Sequence, residues 1–198
     1  MPRHSSQPLP RNSGVPGAAV TPRASRSAAL GVSCTRQAAL TGHLVFSTLH
    51  TNDSASAITR LIDMGVKPFL VAASVQAVLA QRLLRVVCKK CCQPYTPADT
   101  ELRSIGVDPG SVKDNKFFRA EGCPACEHSG FRGRLGIYEL LQMDNTLREM
   151  TFRGEPMVRL RDYAWQSGGM STLLQDGVRK VVQGHTTIPE LLRVVAAV

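Results

Sequence analysis

The chain has 198 residues, 43% hydrophobic and only 5% aromatic, enough for one ordinary domain or two small ones. Its net charge of +9 is unevenly placed: residues 1–36 hold Arg3, Arg11, Arg23, Arg26 and Arg36 and no acid, so the remainder carries only +4. Residues 87–134 hold eight basic and six acidic side chains, a near balance that argues against a module gripping a phosphate backbone. The longest apolar segment, Pro68 to Ala80, is too short for a membrane span and contains Ser74 and Gln76. The first residues lack the apolar stretch of a signal peptide. Six cysteines without an export signal indicate a reducing compartment, with thiols available to a metal. The Arg/Ser-rich start resembles an organelle transit peptide, but its Pro and Gly content opposes the amphipathic helix such a peptide needs.

In chain order, residues 1–27 are rich in Pro, Ser, Gly and Arg without apolar periodicity and are expected to be disordered. A short helix is expected from Ala28–Arg36 to Leu40, stopped by Thr41-Gly42. His43 to Leu49, β-branched and aromatic, reads as a buried strand. His50-Thr51-Asn52-Asp53 follows at its C-terminal end. Asn52 or Asp53 can cap the next helix, whose apolar face holds Ala57, Ile58, Leu61 and Ile62, and Gly65 ends it. Pro68 opens another helix, expected to reach about Leu84. Thr96-Pro97-Ala98-Asp99 looks like a further helix start. A strand is expected over Leu135 to Met143, then helices near 145–152, 156–167, 171–183 and 188–197. Gly168-Gly169 and Gly184 act as stops and Thr187-Ile188-Pro189-Glu190 as a capping box. No internal repeat is visible.

Four cysteines fall in two pairs, Cys88-Lys89-Lys90-Cys91 and Cys123-Pro124-Ala125-Cys126, with 31 residues between them. Each C-x-x-C knuckle presents two thiolates to one ion, and two knuckles make a closed four-thiolate site suited to Zn²⁺. A closed site leaves no position for substrate, so this metal would hold structure together. A pair of redox-active C-x-x-C sequences is the competing reading. Cys92 rivals Cys91 as a ligand through C-x₃-C spacing, and His128 is another substitute; Cys34 is a bystander.

Thr41-Gly-His-Leu-Val-Phe-Ser-Thr-Leu-His-Thr-Asn-Asp53 resembles the histidine box of the bacterial ATPases that drive type II secretion and type IV pilus assembly. Ala80-Gln-Arg-Leu83, the paired cysteine knuckles, Gly133-Arg-Leu-Gly-Ile-Tyr-Glu139 and Gly177-Val-Arg-Lys180 are similar to the same family in the same order. The resemblance covers roughly Gln37 to Val194. It implies an α/β fold: the C-terminal part of a RecA-like P-loop NTPase core, with a tetracysteine zinc insert and a helical C-terminal subdomain. The implied division is 1–36 as a tail unlike the family, 37–86 as the end of the ATPase core, 87–131 as the zinc module, and 132–198 as a returning strand with the helical subdomain. It further implies a cytoplasmic hexameric ring, peripheral to the inner membrane. The ring's partners would be neighbouring ATPase subunits and the platform protein of the machine, with no nucleic acid.

The sequence departs from the family pattern at one place. No G-x-x-x-x-G-K-[ST] occurs, and the first acid of any kind is Asp53, so ATP and Mg²⁺ are expected only in the context of a longer family chain. A truncated or frameshifted gene, or a misassigned start, is the expectation that follows. The alternative is a non-enzymatic zinc-ribbon module that binds a protein or nucleic acid; a third reading is an unstable remnant that folds only around its metal.

Within this resemblance His50 stands where open α/β sheets place ligands and could sense a γ-phosphate; otherwise it merely caps a strand. Thr48, Thr51 and Arg82 would lie near the nucleotide. Arg82 could equally be a surface side chain. Asp53 reads as cap or ligand, and His43 as structural. Arg132 and Arg134 could meet acidic groups of a neighbouring subunit or form a solvated turn.

Overall fold

The computed structural model describes residues 41–112, 117–166 and 169–196. The expected disordered tail, the helix over 28–40, Cys34, and the stop at Gly168 lie outside them. His43–Leu49 is described and is not a strand: Leu44 is 78% and Phe46 85% exposed. Its β-forming composition finds no strand partner, since the described sheets are built from other residues.

Helix α1 (Ser54–Asp63) starts where a capping residue allows it. The Asp53 carboxylate accepts the Ser56 amide at 2.7 Å. Ala55, Ala57 and Ile58 are buried, and Leu61 and Ile62 pack beside them. Gly65, at φ +87°, supplies the left-handed turn that ends it. Helix α2 (Pro68–Ser74) has proline in its first turn but stops ten residues short of the expected Leu84, because Val75 is extended.

The chain continues as strand β1 (Ala77–Val87). After β2 (Cys92–Tyr95), α3 (Asp99–Ser104) and β3 (Phe117–Ala120), strand β4 (Phe131–Gln142) pairs antiparallel with β1. The register runs from Ala77 opposite Gln142 to Arg85 opposite Arg134, then shifts between Arg85 and Val87. Strands β2 and β3 form a second antiparallel pair, Cys92 opposite Ala120 and Tyr95 opposite Phe117. The expected strand over 135–143 is thus longer and begins earlier.

Four helices close the chain: α4 (Asn145–Arg153), α5 (Met157–Gln166), α6 (Leu173–Val182) and α7 (Ile188–Val195). All four match expectation, because caps and stops are local. Asp144 caps α4 through the Leu147 amide at 2.7 Å, and Gly154 ends it at φ +69°. Thr172 and Gln175 exchange a reciprocal capping box that starts α6. The box expected at Thr187 is only half formed. Thr187 Oγ1 accepts the Glu190 amide at 3.3 Å, but the Glu190 carboxylate turns inward to Arg85 and Arg193.

The long β1–β4 ribbon links two hydrophobic cores. At one end Leu84 and Ile137 pack with Leu102, Ile105 and Phe117 of the cysteine module and with Leu173, Val181 and Leu191. At the other, Leu141 joins Ile58, Val71, Leu147, Leu160 and Ala164. Burying one such side chain contributes about 1.5–3 kcal/mol. Gly177 lets α6 and α7 approach: a Cβ there would lie 2.2 Å from Leu191 Cδ1. The ribbon's other face leaves Leu79, Leu83, Tyr138 and Leu140 about half exposed. Among the described residues no helix is long and apolar enough to cross a membrane.

Candidate functional site

The two cysteine knuckles are folded toward one point. In the first, Cys91 and Cys92 amides both donate to the Cys88 carbonyl, at 3.2 and 2.9 Å. In the second, the Cys126 and His128 amides converge on the Cys123 carbonyl at 3.0 and 2.9 Å, with Glu127 and His128 in the left-handed region. Gly130 follows at φ +75°, and a Cβ there would stand 2.9 Å from the Ala120 carbonyl carbon, so the site needs glycine. The Cys88 amide donates to the Gly130 carbonyl at 2.9 Å and joins the knuckles.

The Sγ atoms of Cys88, Cys91, Cys123 and Cys126 lie within 4.8 Å of one another. Cys88–Cys123 is 4.0 Å, Cys91–Cys126 3.8 Å and Cys123–Cys126 3.7 Å. Four sulfurs about 2.3 Å from one tetrahedral ion stand about 3.8 Å apart, so this donor set fits such an ion. Cys92 is drawn into β2 and stays outside the group, as does the exposed His128.

Burial and the neighbouring thiols push Cys91 up to about 12, against the Gly122 amide. Burial also raises Cys126, yet the amides of Cys123 and Gly130 and the thiols of Cys123 and Cys91 outweigh it and bring it to about 6. The amides aimed at Cys126 Sγ favour a thiolate there, and a divalent cation among the four sulfurs would draw the others the same way.

A second constellation surrounds His50. The ring is exposed and, with Thr51, Asn52, Ser56, Thr59, Arg60, Asp63 and Met157, lines an open depression of ≈ 320 Å³. Imidazole, hydroxyl and guanidinium groups face this depression together with the Asp63 carboxylate. Arg82, on β1, donates to the Asn52 carbonyl at 3.2 Å, so it reaches this segment. Thr48 is exposed and not among the lining residues. Asp53 is occupied twice, capping α1 and pairing with Arg161. His43 bonds to Thr41 at 3.0 Å, and Arg132 and Arg134 are exposed near the start of β4.

Two acids named in the sequence only as the end of a motif and as part of a capping box prove to be buried anchors. Glu139, 4% exposed, accepts the Ser54 amide at 3.0 Å and the Ser54 hydroxyl at 2.6 Å. Glu190, 2% exposed, accepts the Arg85 amide and guanidinium and the Arg193 guanidinium at 2.7–3.1 Å. Burial alone would raise its carboxyl, but the Arg193 and Arg85 bonds dominate and bring it from 4.5 to about 2. Motif and capping-box positions marked the two acids in the sequence, but neither pattern points to their distant partners Ser54 and Arg85.

The described fold is a mixed α/β protein with a compact four-cysteine cluster and a histidine-bearing segment ahead of its first helix. The sequence model of the Type II/IV secretion system protein family matches residues 31–193, and the chain belongs to that family. It is 47% identical over 158 residues to a type II secretion system protein E of Pseudomonas aeruginosa, covering 80% of this chain and 31% of that one. It is 46% identical over 160 residues to the type II secretion system ATPase E of Vibrio cholerae, covering 80% and 31%. With the type IV pilus assembly ATPase PilB of Thermus thermophilus it shares 42% identity over 156 residues, 79% of this chain and 17% of that one. The chain thus spans under a third of the length of these relatives.

Proposed function

We propose that the chain serves a hexameric secretion or pilus-assembly motor as the C-terminal part of its ATPase subunit. Family membership and the His50 depression support this reading. In it, residues 37–86 end a RecA-like core, 87–131 form a zinc module, and 132–198 return to the sheet and supply a helical subdomain. His50 senses the γ-phosphate, with Thr48, Thr51 and Arg82 nearby. Cys88, Cys91, Cys123 and Cys126 hold Zn²⁺, for which their sulfur spacing is the support. The ring works in the cytoplasm against the inner-membrane platform protein, and ATP hydrolysis drives export or pilus growth.

The observation that carries the proposal is that His50 and Thr51 line one depression whose flanking carbonyl is gripped by Arg82. Without G-x-x-x-x-G-K-[ST] in its sequence, the 198-residue chain by itself is expected to show no Mg²⁺-dependent ATP hydrolysis. The decisive test is a chimera in which residues 41–193 replace the aligned segment of the V. cholerae relative. It should hydrolyse ATP. His50→Ala within it should lower kcat about 10²-fold with little change in KM, the mark of a group that acts in the transition state. An unchanged kcat would sink the sensing role.

A further inference from the structure

Three consecutive residues behind His50 are each held by a charged side chain from a distant part of the chain. The Asn52 carbonyl accepts from Arg82 of β1. The Asp53 carboxylate pairs with Arg161 of α5. The Ser54 amide and hydroxyl both donate to one oxygen of Glu139 in β4. Their separations in sequence are 30, 108 and 85 residues.

A helix start does not require this. The first amides of a helix are ordinarily satisfied by a local cap or by water, and Asp53 already caps α1 through Ser56. The additional contacts fix something else: the position of the α1 entrance relative to β4 and α5. Glu139 is a costly means of doing so, because a buried carboxylate must be desolvated and an apolar side chain of similar volume would fill the space more cheaply. Arg161 is also committed, with its guanidinium 5.7 Å from the Trp165 ring on the same helix. Any displacement of α5 or β4 therefore moves Asp53 and Ser54, and His50 lies three residues ahead of Asp53.

We infer that Glu139 and Arg161 are positioning residues that set the His50 segment, so that movement of the C-terminal elements is transmitted to the depression His50 lines. The inference rests on the phosphate-sensing reading of His50 for its purpose, but the contacts can be tested separately.

The experiment uses the 198-residue chain and two mild variants, Ser54→Ala and Arg161→Gln, with Arg153→Gln as control. Among the described residues Arg153 pairs with Glu149 alone, on the exposed side of α4. Amide hydrogen exchange and the imidazole NMR signals of His50 and His185 are recorded for each. Exchange over residues 51–56 should accelerate about tenfold in both variants, and the His50 signal should move. Exchange in α6 and the His185 signal should match the parent and the control. An unmoved His50 signal with unchanged local exchange would overturn the inference, as would acceleration spread equally through α6 and α7. Inorganic triphosphate with Mg²⁺, added to the chimera that carries residues 41–193 within the V. cholerae relative, tests the sensing role alone. A His50 signal that ignores it defeats that role, while the variant comparison still decides the positioning contacts.

Discussion

At the scale of single residues the sharpest contrast is between Cys91 and Cys92. They are chain neighbours, and spacing permits either as a ligand. The fold separates them: both amides wrap onto the Cys88 carbonyl, which turns Cys91 Sγ toward Cys126 and sends Cys92 into β2 opposite Ala120. Cys91→Ser should lower zinc affinity about 100-fold or more, whereas Cys92→Ser should leave it within about threefold. Zinc retention against a chelator of known affinity measures both. Equal losses would mean that the two thiols exchange places. The knuckles were legible in the sequence because C-x-x-C is local geometry. The choice between Cys91 and Cys92 was not, since the strand partner that removes Cys92 is 28 residues away.

At the scale of elements, α7 is fastened to the ribbon by Glu190. Its carboxylate takes the Arg85 amide, left free where the β1–β4 register shifts, and both arginine side chains. The folded carboxyl sits at about 2 against 4.5 when unfolded. A depressed carboxyl stabilises the fold fully above the unfolded value and loses that contribution as pH falls toward the folded one. The loss by pH 3 should be about 2 kcal/mol. Urea melts at pH 6 and pH 3, compared with those of Glu190→Gln, isolate it. The variant should be less stable at pH 6 and show a correspondingly smaller acid sensitivity. An identical pH response in the two proteins would refute the clamp.

The same clamp shows where the sequence could and could not be read. Thr187 followed three residues later by an acid signals a helix start, and α7 does begin there. One of the acid's partners, Arg193, is three residues on, but the other, Arg85, is 105 residues upstream, beyond any local pattern. Residues 77–84 misled for a related reason. Ala, Leu, Gln and Arg favour a helix, yet alternate positions face opposite sides of the ribbon, and pairing with β4 overrides propensity. His43–Leu49 fails in the opposite sense, with strand-forming residues that meet no partner strand in the described fold. The C-terminal helices were legible because signals such as Gly169, Gly184 and the Thr187 cap act within their own turns.

At the scale of the whole molecule, the cysteine module and the last two helices share one core, while α1, α2, α4 and α5 share the other. Strands β2 and β3 are four residues each, too short to persist alone. Under the zinc reading proposed above, chelation should therefore loosen more than the knuckles. Amide protection at Leu84, Ile137 and Leu191 should fall together with that of β2 and β3, while Ile58, Leu147 and Leu160 keep theirs. Exchange measured with and without chelator reads the difference directly. Loss confined to residues 88–130 would show that the shared core stands without metal.

The ribbon that joins the two cores has a mechanical consequence. At about 3.4 Å per residue its 11- and 12-residue strands extend for roughly 35–40 Å. A pull applied in opposite directions at the two ends, along the strands, would load the cross-strand hydrogen bonds in parallel, so that all must yield at once. A pull across the strands would instead break them one after another, like a zip. The ribbon is thus stiff along its axis and weak across it, a link of unequal strength between the cysteine-side core and the helices that hold the His50 segment.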